Sequence, residues 1–378
     1  MSAQLPLKST TAGNQPKTPI DTYYSKYDLL VDSISFRRGT LISILFLLLI
    51  LMMLLAVGRG AYPVSPLQAL EAFTTLPLQS GLTDQQAAVL WSIRLPRVLL
   101  GALLGAGLAV SGALLQGLFR NPLADPGLIG VTGGAALAAA MVIVLGATLL
   151  PGFSRMLGLF TLPLFAVAGG FAIAAIIYRI ATREGYTSMP VMLLAGIAVN
   201  ALVVAGIGLL TYIATDEQLR TLTFWSLGSL APANWPVVML TAPFVLLSML
   251  AAMHALPALN AVLLGEQEAS HLGVNVQRLK AIVTLLATIS VGVCTAFCGM
   301  VGFIGLIAPH CVRLIAGPDH RVVVPASALL GASLVLLADL VARTAFAPAE
   351  LPLGVLTALL GAPFFLMLLL SQRRHWGV

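Results

Sequence analysis

From Gly39 to Gly58 the chain runs without a single charged side chain. A helix rises 1.5 Å per residue, so about twenty apolar residues carry it across the ~30 Å hydrocarbon core of a bilayer. Comparable stretches recur at about 97–118, 127–150, 159–180, 189–212, 236–256, 281–299, 302–315, 322–345 and 353–371, giving ten in all. The eighth, interrupted by Gly302, Gly305 and Pro309, is short and reads as a half-buried or broken helix. Spans must satisfy their own backbone polar groups, which leaves helices or a closed barrel. Leu, Ala, Val and Gly runs broken by Gly and Pro suit packed helices, whereas barrel strands need alternating segments of about ten residues. The fold class is therefore an all-α polytopic membrane protein.

Charge supports this reading. Only 9% of residues are charged and 59% are hydrophobic, against about 25% charged in a soluble protein. Such a surface excludes soluble enzymes, secreted modules and disordered chains. Lys and Arg are retained on the cytoplasmic side of membrane proteins. With the N-terminus inside, fourteen of the twenty Lys and Arg fall on the inner side. The outer six are Arg59, Arg94, Arg97, Arg155, Arg220 and Arg343. Ten spans with both termini cytoplasmic satisfy that bias. The expected division is a mobile leader at 1–38 without helical period, one membrane unit at 39–372, and a cytoplasmic tail at 373–378. A secretory signal peptide is not expected, because the first apolar run follows about forty residues of polar leader and is too long for a signal core. Two extramembrane stretches remain. The outer one, from Arg59 to about Arg94, holds Pro63, Pro66 and the helix-like Leu67–Phe73; the inner one, 257–280, has two short amphipathic pieces stopped by Gly265 and Gly273.

The energy source is absent from the chain. A proton- or sodium-driven carrier places carboxylates or histidines in mid-membrane despite their cost. Here the one acidic residue inside an apolar run is Asp339, four residues before Arg343 and placed for an i,i+4 ion pair. None of the four lysines stands in a GxxxxGK[ST] phosphate-cradling loop. Active transport would thus draw on ATP hydrolysed by another polypeptide. Cys294, Cys298 and Cys311 read as small apolar packing residues, and no metal site is expected. His310 after Pro309 lacks a partner and reads as a helix-end residue. A membrane enzyme would have only Ser333 and His310 to offer, and a serine nucleophile needs a base within reach.

The densest motif runs from Ile93 to Val131. Arg94 and Arg97, three apart, would project from one helix face at the outer border. Gly101, Gly105, Ala109 and Gly112 form a small-residue stripe that lets helices approach closely. Asn121-Pro-Leu-Ala-Asp-Pro126 then breaks the chain at the inner border.

With FWSLGSL (224–230), LGEQEASHLGV (264–274), GFIGLIAPHCVR (302–313), GPDHR (317–321) and ELPLGVLTALLGAPFF (350–365), these strings resemble the permeases of type II ABC importers. That FecCD-like family takes up cobalamin, ferric siderophores and haem. The resemblance covers about 90–370. It implies ten helices per subunit and a homodimer with the path between the subunits. Its implied partners are two ATPase subunits carrying ATP and Mg, a periplasmic binding protein, and the bacterial inner membrane. Neither nucleic acid nor a resident cofactor is implied. Arg94, Arg97 and Arg343 match positions that dock the binding protein. Asn121 and Leu123 match the cytoplasmic gate, with a second constriction at Thr187, Ser188, Met189 and Pro190. Leu264, Gly265, Glu266, Ala269, His271, Leu272 and Gly273 match the elements that seat in the ATPase, which explains an amphipathic loop with a groove to fill. The GVTGGAAL stretch is most similar to haem permeases, so haem is the expected cargo. Siderophore or cobalamin in the same kind of importer, or a proton-coupled carrier using Asp339, are the alternatives.

Overall fold

A computed structural model of the chain describes residues 19–60, 83–149, 152, 156–346 and 349–373. Leu67–Phe73, the first eighteen residues and the tail after 373 lie outside the described residues. Helix α1 (Pro19–Gly58) starts twenty residues ahead of its uncharged stretch. Residues 19–38 are therefore helical, contrary to the expectation of an aperiodic leader; a helix need not be apolar where it leaves the membrane. Helix α2 (Asp84–Phe119) likewise begins well before Arg97. Thr83 caps it, accepting from the Gln86 N–H at 3.3 Å while the Gln86 side chain accepts from the Thr83 N–H at 3.0 Å. A single π-turn at Leu90–Arg94 precedes Pro96. Its wider loop accommodates a residue that cannot donate to the turn behind it.

The remaining long helices are α3 (Val131–Leu149), α4 (Thr161–Ala181), α5 (Met189–Ile213), α7 (Trp235–Val262), α9 (Val276–Cys298), α11 (His320–Thr344) and α12 (Leu353–Arg373). Between them lie α6 (Asp216–Ser226), α8 (Glu266–His271) and α10 (Ile304–Ala316). Among the described residues eight of the ten expected segments form helices long and apolar enough to cross a membrane. The two short ones are α10 and the described apolar part of α12, Leu353–Met367. Gly299 and Phe303 both hold positive φ (72° and 66°), which keeps the chain out of helix until Ile304. The broken eighth segment is thus borne out.

The glycine stripe explains the packing. Any side chain on Gly105 would collide with the Gly331 carbonyl of α11, and one on Gly112 with the Gly305 carbonyl of α10. Hence α10 begins within the bundle, level with Leu108 and Gly112 in the last third of α2, and α2 is the axis around which α7, α9, α10 and α11 pack. The most apolar windows of α2 and α9 are 78% buried and that of α11 is 72%, against 22% for α1 and 17% for α5. Helices of the second kind keep an apolar face for lipid or another chain. A two-stranded hairpin, β1 (Thr182–Arg183) and β2 (Tyr186–Thr187), joins α4 to α5. Glu184 and Gly185 both take positive φ at its tip, as a type I′ turn requires.

Candidate functional site

Successive helices alternate in direction, so the proposed site residues gather at two opposite ends. At one end Arg97 on α2 donates to Asp339 of α11 through Nε (3.0 Å) and Nη2 (2.9 Å), and to Glu350 through Nη1 and Nη2 (both 2.9 Å). Arg343 approaches Asp339 at 3.4 Å, the i,i+4 pair expected from spacing. Arg343 also donates to the Arg59 and Ala56 carbonyls at the end of α1, and Arg94 donates to Val57 O at 2.7 Å. The three arginines thus come together, but they are turned inward and largely buried: Arg94 is only 4% exposed. Each satisfies carbonyls or carboxylates of a neighbouring helix, a role that spacing within α2 could not reveal. Asp339 is an ion-pair hub with two guanidiniums, unlike the lone mid-membrane carboxylate of a proton relay. The hydrogen bond from Arg97 holds the Glu350 carboxyl below the usual range, with partial burial working against it. Near it a cleft of about 520 Å³ is lined by Arg220, Phe224, Trp225, Cys298, Glu350 and Pro352.

At the opposite end the Asn121 turn folds on itself. Asn121 Oδ1 accepts from the Leu123 N–H at 2.9 Å, and Asp125 Oδ1 accepts from Gly127 N at 2.7 Å. Burial raises the Asp125 carboxyl above its usual range, with the Gly127 N–H opposing it. Leu123 borders an apolar cleft shared with Phe303, Ile307, His310 and Phe364. This turn reaches α5 through the Gly127 carbonyl, which accepts from Asn200 at 3.1 Å, and through Leu128 O, which presses on Gly196. Nearby, Asp319 caps α11 and is gripped by Arg38 (2.9 Å) and Asn260 (2.8 Å). Although burial would raise its carboxyl, the bonds from Asn260 and the Arg321 N–H and the charge of Arg38 hold it below the usual range.

The second expected constriction is a defined structure. Thr187 is buried in the hairpin, while Pro190 opens α5 in its first turn, where a missing N–H costs nothing. Thr187 Oγ1 meets Tyr178 Oη at 3.2 Å and Thr182 Oγ1 at 2.9 Å, and its N–H donates to Gln277 Oε1 at 2.8 Å. Ser188 N donates to Ala181 O, and Met189 is buried.

Of the loop residues expected to couple, Glu266, Ala269 and His271 lie in α8, and Leu264, Gly265, Leu272 and Gly273 flank it. Gly265 (φ 132°) precedes it and Gly273 (φ 83°) follows it. Ala269 faces inward and is fully buried; Leu264 and Leu272 stand 68% and 66% exposed, and Glu268 and His271 are exposed as well. Exposed leucines beside acidic and His side chains outside an apolar span form a surface suited to a partner.

One participant escaped sequence reasoning. Lys280, counted there only as an inner charge, is 1% exposed and joins Glu266 Oε2 (2.7 Å) to Thr187 O (2.8 Å). Its sole linear signal is a lysine at the border of an apolar run.

Ser333 Oγ donates to Leu329 O within its own helix, leaving no serine–base arrangement with His310. Among the described residues no three His, Cys, Asp or Glu converge on a metal position. Cys294 packs beside Gly107.

Residues 47–371 match the model of the FecCD transport family. The hemin transport system permease protein HmuU of Yersinia pestis is 44% identical over 331 residues, 87% of this chain and 95% of that protein. The cobalamin import system permease protein BtuC of Halobacterium salinarum is 40% identical over 304 residues, covering 80% of this chain and 79% of that one. A solved metal-chelate type ABC transporter in an inward-facing conformation superposes with TM-score 0.76 at 33% identity, covering 88% of this chain and 99% of that one. A helical bundle with this order of motifs, matched from α1 to α12, makes the chain a member of the FecCD transport family.

Proposed function

We propose that this chain is the membrane-spanning permease of an ATP-driven importer that moves haem from periplasm to cytoplasm by alternating access. The observation that carries the choice of cargo is the 44% identity to a hemin permease along 95% of that relative. Two copies would flank the path, each crossing a bacterial inner membrane ten times with both termini in the cytoplasm. Each copy would seat α8 in a separate ATPase subunit, since the chain lacks a phosphate-binding loop of its own. The Asn121–Leu123 turn and Thr187–Pro190 would form the cytoplasmic gate. A periplasmic binding protein would deliver cargo at the Arg97 end, where its carboxylates would have to compete with Asp339 and Glu350 for the arginines.

Reconstitution in proteoliposomes with the ATPase and binding protein tests the reading. Haem should accumulate only when ATP is hydrolysed. The 40% identity to a cobalamin permease favours cobalamin as the second reading, and uptake of cobalamin in preference to haem would replace the cargo. Flux driven by a pH gradient without the ATPase, and abolished by Asp339→Asn, would make the chain a secondary carrier. Unchanged affinity of the binding protein for a folded Arg94→Glu, Arg97→Glu variant would remove the docking assignment.

A further inference from the structure

We propose that Lys280 is the positioning residue that passes displacement of α8 to the gate hairpin; this rests on the importer reading above. A buried ammonium must be paired by groups the protein holds in place. Here those groups come from two separate segments. Glu266 Oε2, on the first residue of α8, lies 2.7 Å from Lys280 Nζ, and the Thr187 carbonyl accepts from the same nitrogen at 2.8 Å. The Tyr186 ring sits 5.5 Å away, within range of a cation–π attraction. One turn earlier on α9, Gln277 accepts from the Thr187 N–H at 2.8 Å. The first turns of α9 therefore hold Thr187 by both its amide and its carbonyl.

Helix α8 is itself built to shift. It is six residues long, and Gly265 and Gly273 bracket it with φ values that side chains resist. Among the described residues the Glu266–Lys280 pair is the ion pair that fastens it to the bundle. If an ATPase pulls α8 aside, Lys280 either follows Glu266 and drags the Thr187 carbonyl, or loses its counter-charge while buried. The second course is unfavourable, so movement of the loop becomes movement of the hairpin. A carbonyl and a carboxylate sharing one ammonium is a coupling that either side can bias.

The test uses the complete importer in proteoliposomes, measuring haem moved per ATP hydrolysed, with a fluorophore at exposed Arg183 reporting hairpin motion. Lys280→Met, similar in length but neutral, should lower cargo moved per ATP about tenfold, within the range coupling networks show. The Arg183 signal should then stop responding to ATP. Lys280→Arg, which keeps the charge, should restore much of both. A merely structural lysine would lower transport and hydrolysis together and leave their ratio unchanged, which overturns the proposal. Should Lys280→Met not fold, Glu266→Gln decides by the same ratio, since it removes the charge from the more exposed partner. Absence of ATP-driven haem uptake by the unmodified importer would overturn the functional reading itself. Normal uptake with an unchanged ratio in the variants would overturn only the role of Lys280.

Discussion

At one end of the bundle Arg97 offers a planar fork to two carboxylates; at the other, Lys280 offers a point charge to one carboxylate and one backbone carbonyl. The arginine ties span to span, joining α2 to α11 and to the segment just before α12. The lysine ties a span to two loops. A guanidinium fork fixes direction as well as distance, whereas an ammonium keeps its attraction while a partner swings around it. The arginine tie fixes its partners' orientation, and the lysine tie leaves its partners free to turn about the nitrogen.

Removing the shared carboxylate at the arginine end should have the largest effect. Asp339→Ala would leave Arg97 and Arg343 close together and short of their counter-charge, a change worth about 3–5 kcal/mol for a buried pair. Thermal unfolding of the purified protein in detergent measures it, and a loss as small as that of a surface pair would show that Asp339 is no hub. Midway between the ends, Gly112→Leu should cost about 1–3 kcal/mol or more by driving α2 away from the Gly305 carbonyl. An unchanged melting temperature there would mean that the two ends are not joined through a rigid middle.

Smaller effects separate the two ends further. Glu350 is 42% exposed, so Glu350→Gln should cost about 0–1 kcal/mol. Its carboxyl is held below the usual range in the folded state, so its contribution is fully present above the ordinary carboxylate pKa of about 4.3 and fades as pH falls through the lower folded value. Melting curves of the wild-type and variant proteins should converge only in that acidic window. A difference that instead grew towards low pH would reverse the sign of the Arg97 interaction. Least disturbing to the isolated chain is Leu272→Ser, at the exposed residue just after α8, expected to change stability by less than about 0.5 kcal/mol. Its affinity for the ATPase, read by titration of the detergent-solubilised complex, should nonetheless fall. Intact affinity would remove α8 from the coupling surface.

What was legible in the residues follows from the range of each interaction. The apolar stretches, the Asn121–Pro126 break and the interrupted segment before Ile304 are local patterns, and each lies where its composition places it. The Asp339–Arg343 pair is equally local, being one turn of helix. By contrast, the Arg97–Asp339 bond joins residues 242 positions apart and the Lys280–Thr187 bond residues 93 apart. Nothing in hydropathy or spacing connects them. Helix ends were missed for another reason: Thr83–Gln86 and Pro19 begin their helices in polar sequence, where a membrane-length criterion stops counting. The eighth segment falls short of a full helical crossing because the backbone from Gly299 to Phe303 is non-helical, as Gly302, Gly305 and Pro309 suggest. As for the candidate site, family resemblance put forward Thr187 for a gate and Glu266 for a coupling element, but only their placement showed that the Glu266 carboxylate and the Thr187 carbonyl meet on the same nitrogen.

The glycine contacts along α2 set a limit on how such a molecule can rearrange. Where Gly105 meets Gly331 and Gly112 meets Gly305, backbone lies directly on backbone with no side chain between them. Ordinary helix interfaces slide by letting side chains hop between rotamers, and these contacts have no rotamers to exchange. Around these contacts α2, α10 and α11 must therefore travel as one solid piece. Whatever changes shape in a working cycle is left to the elements joined through side-chain tips.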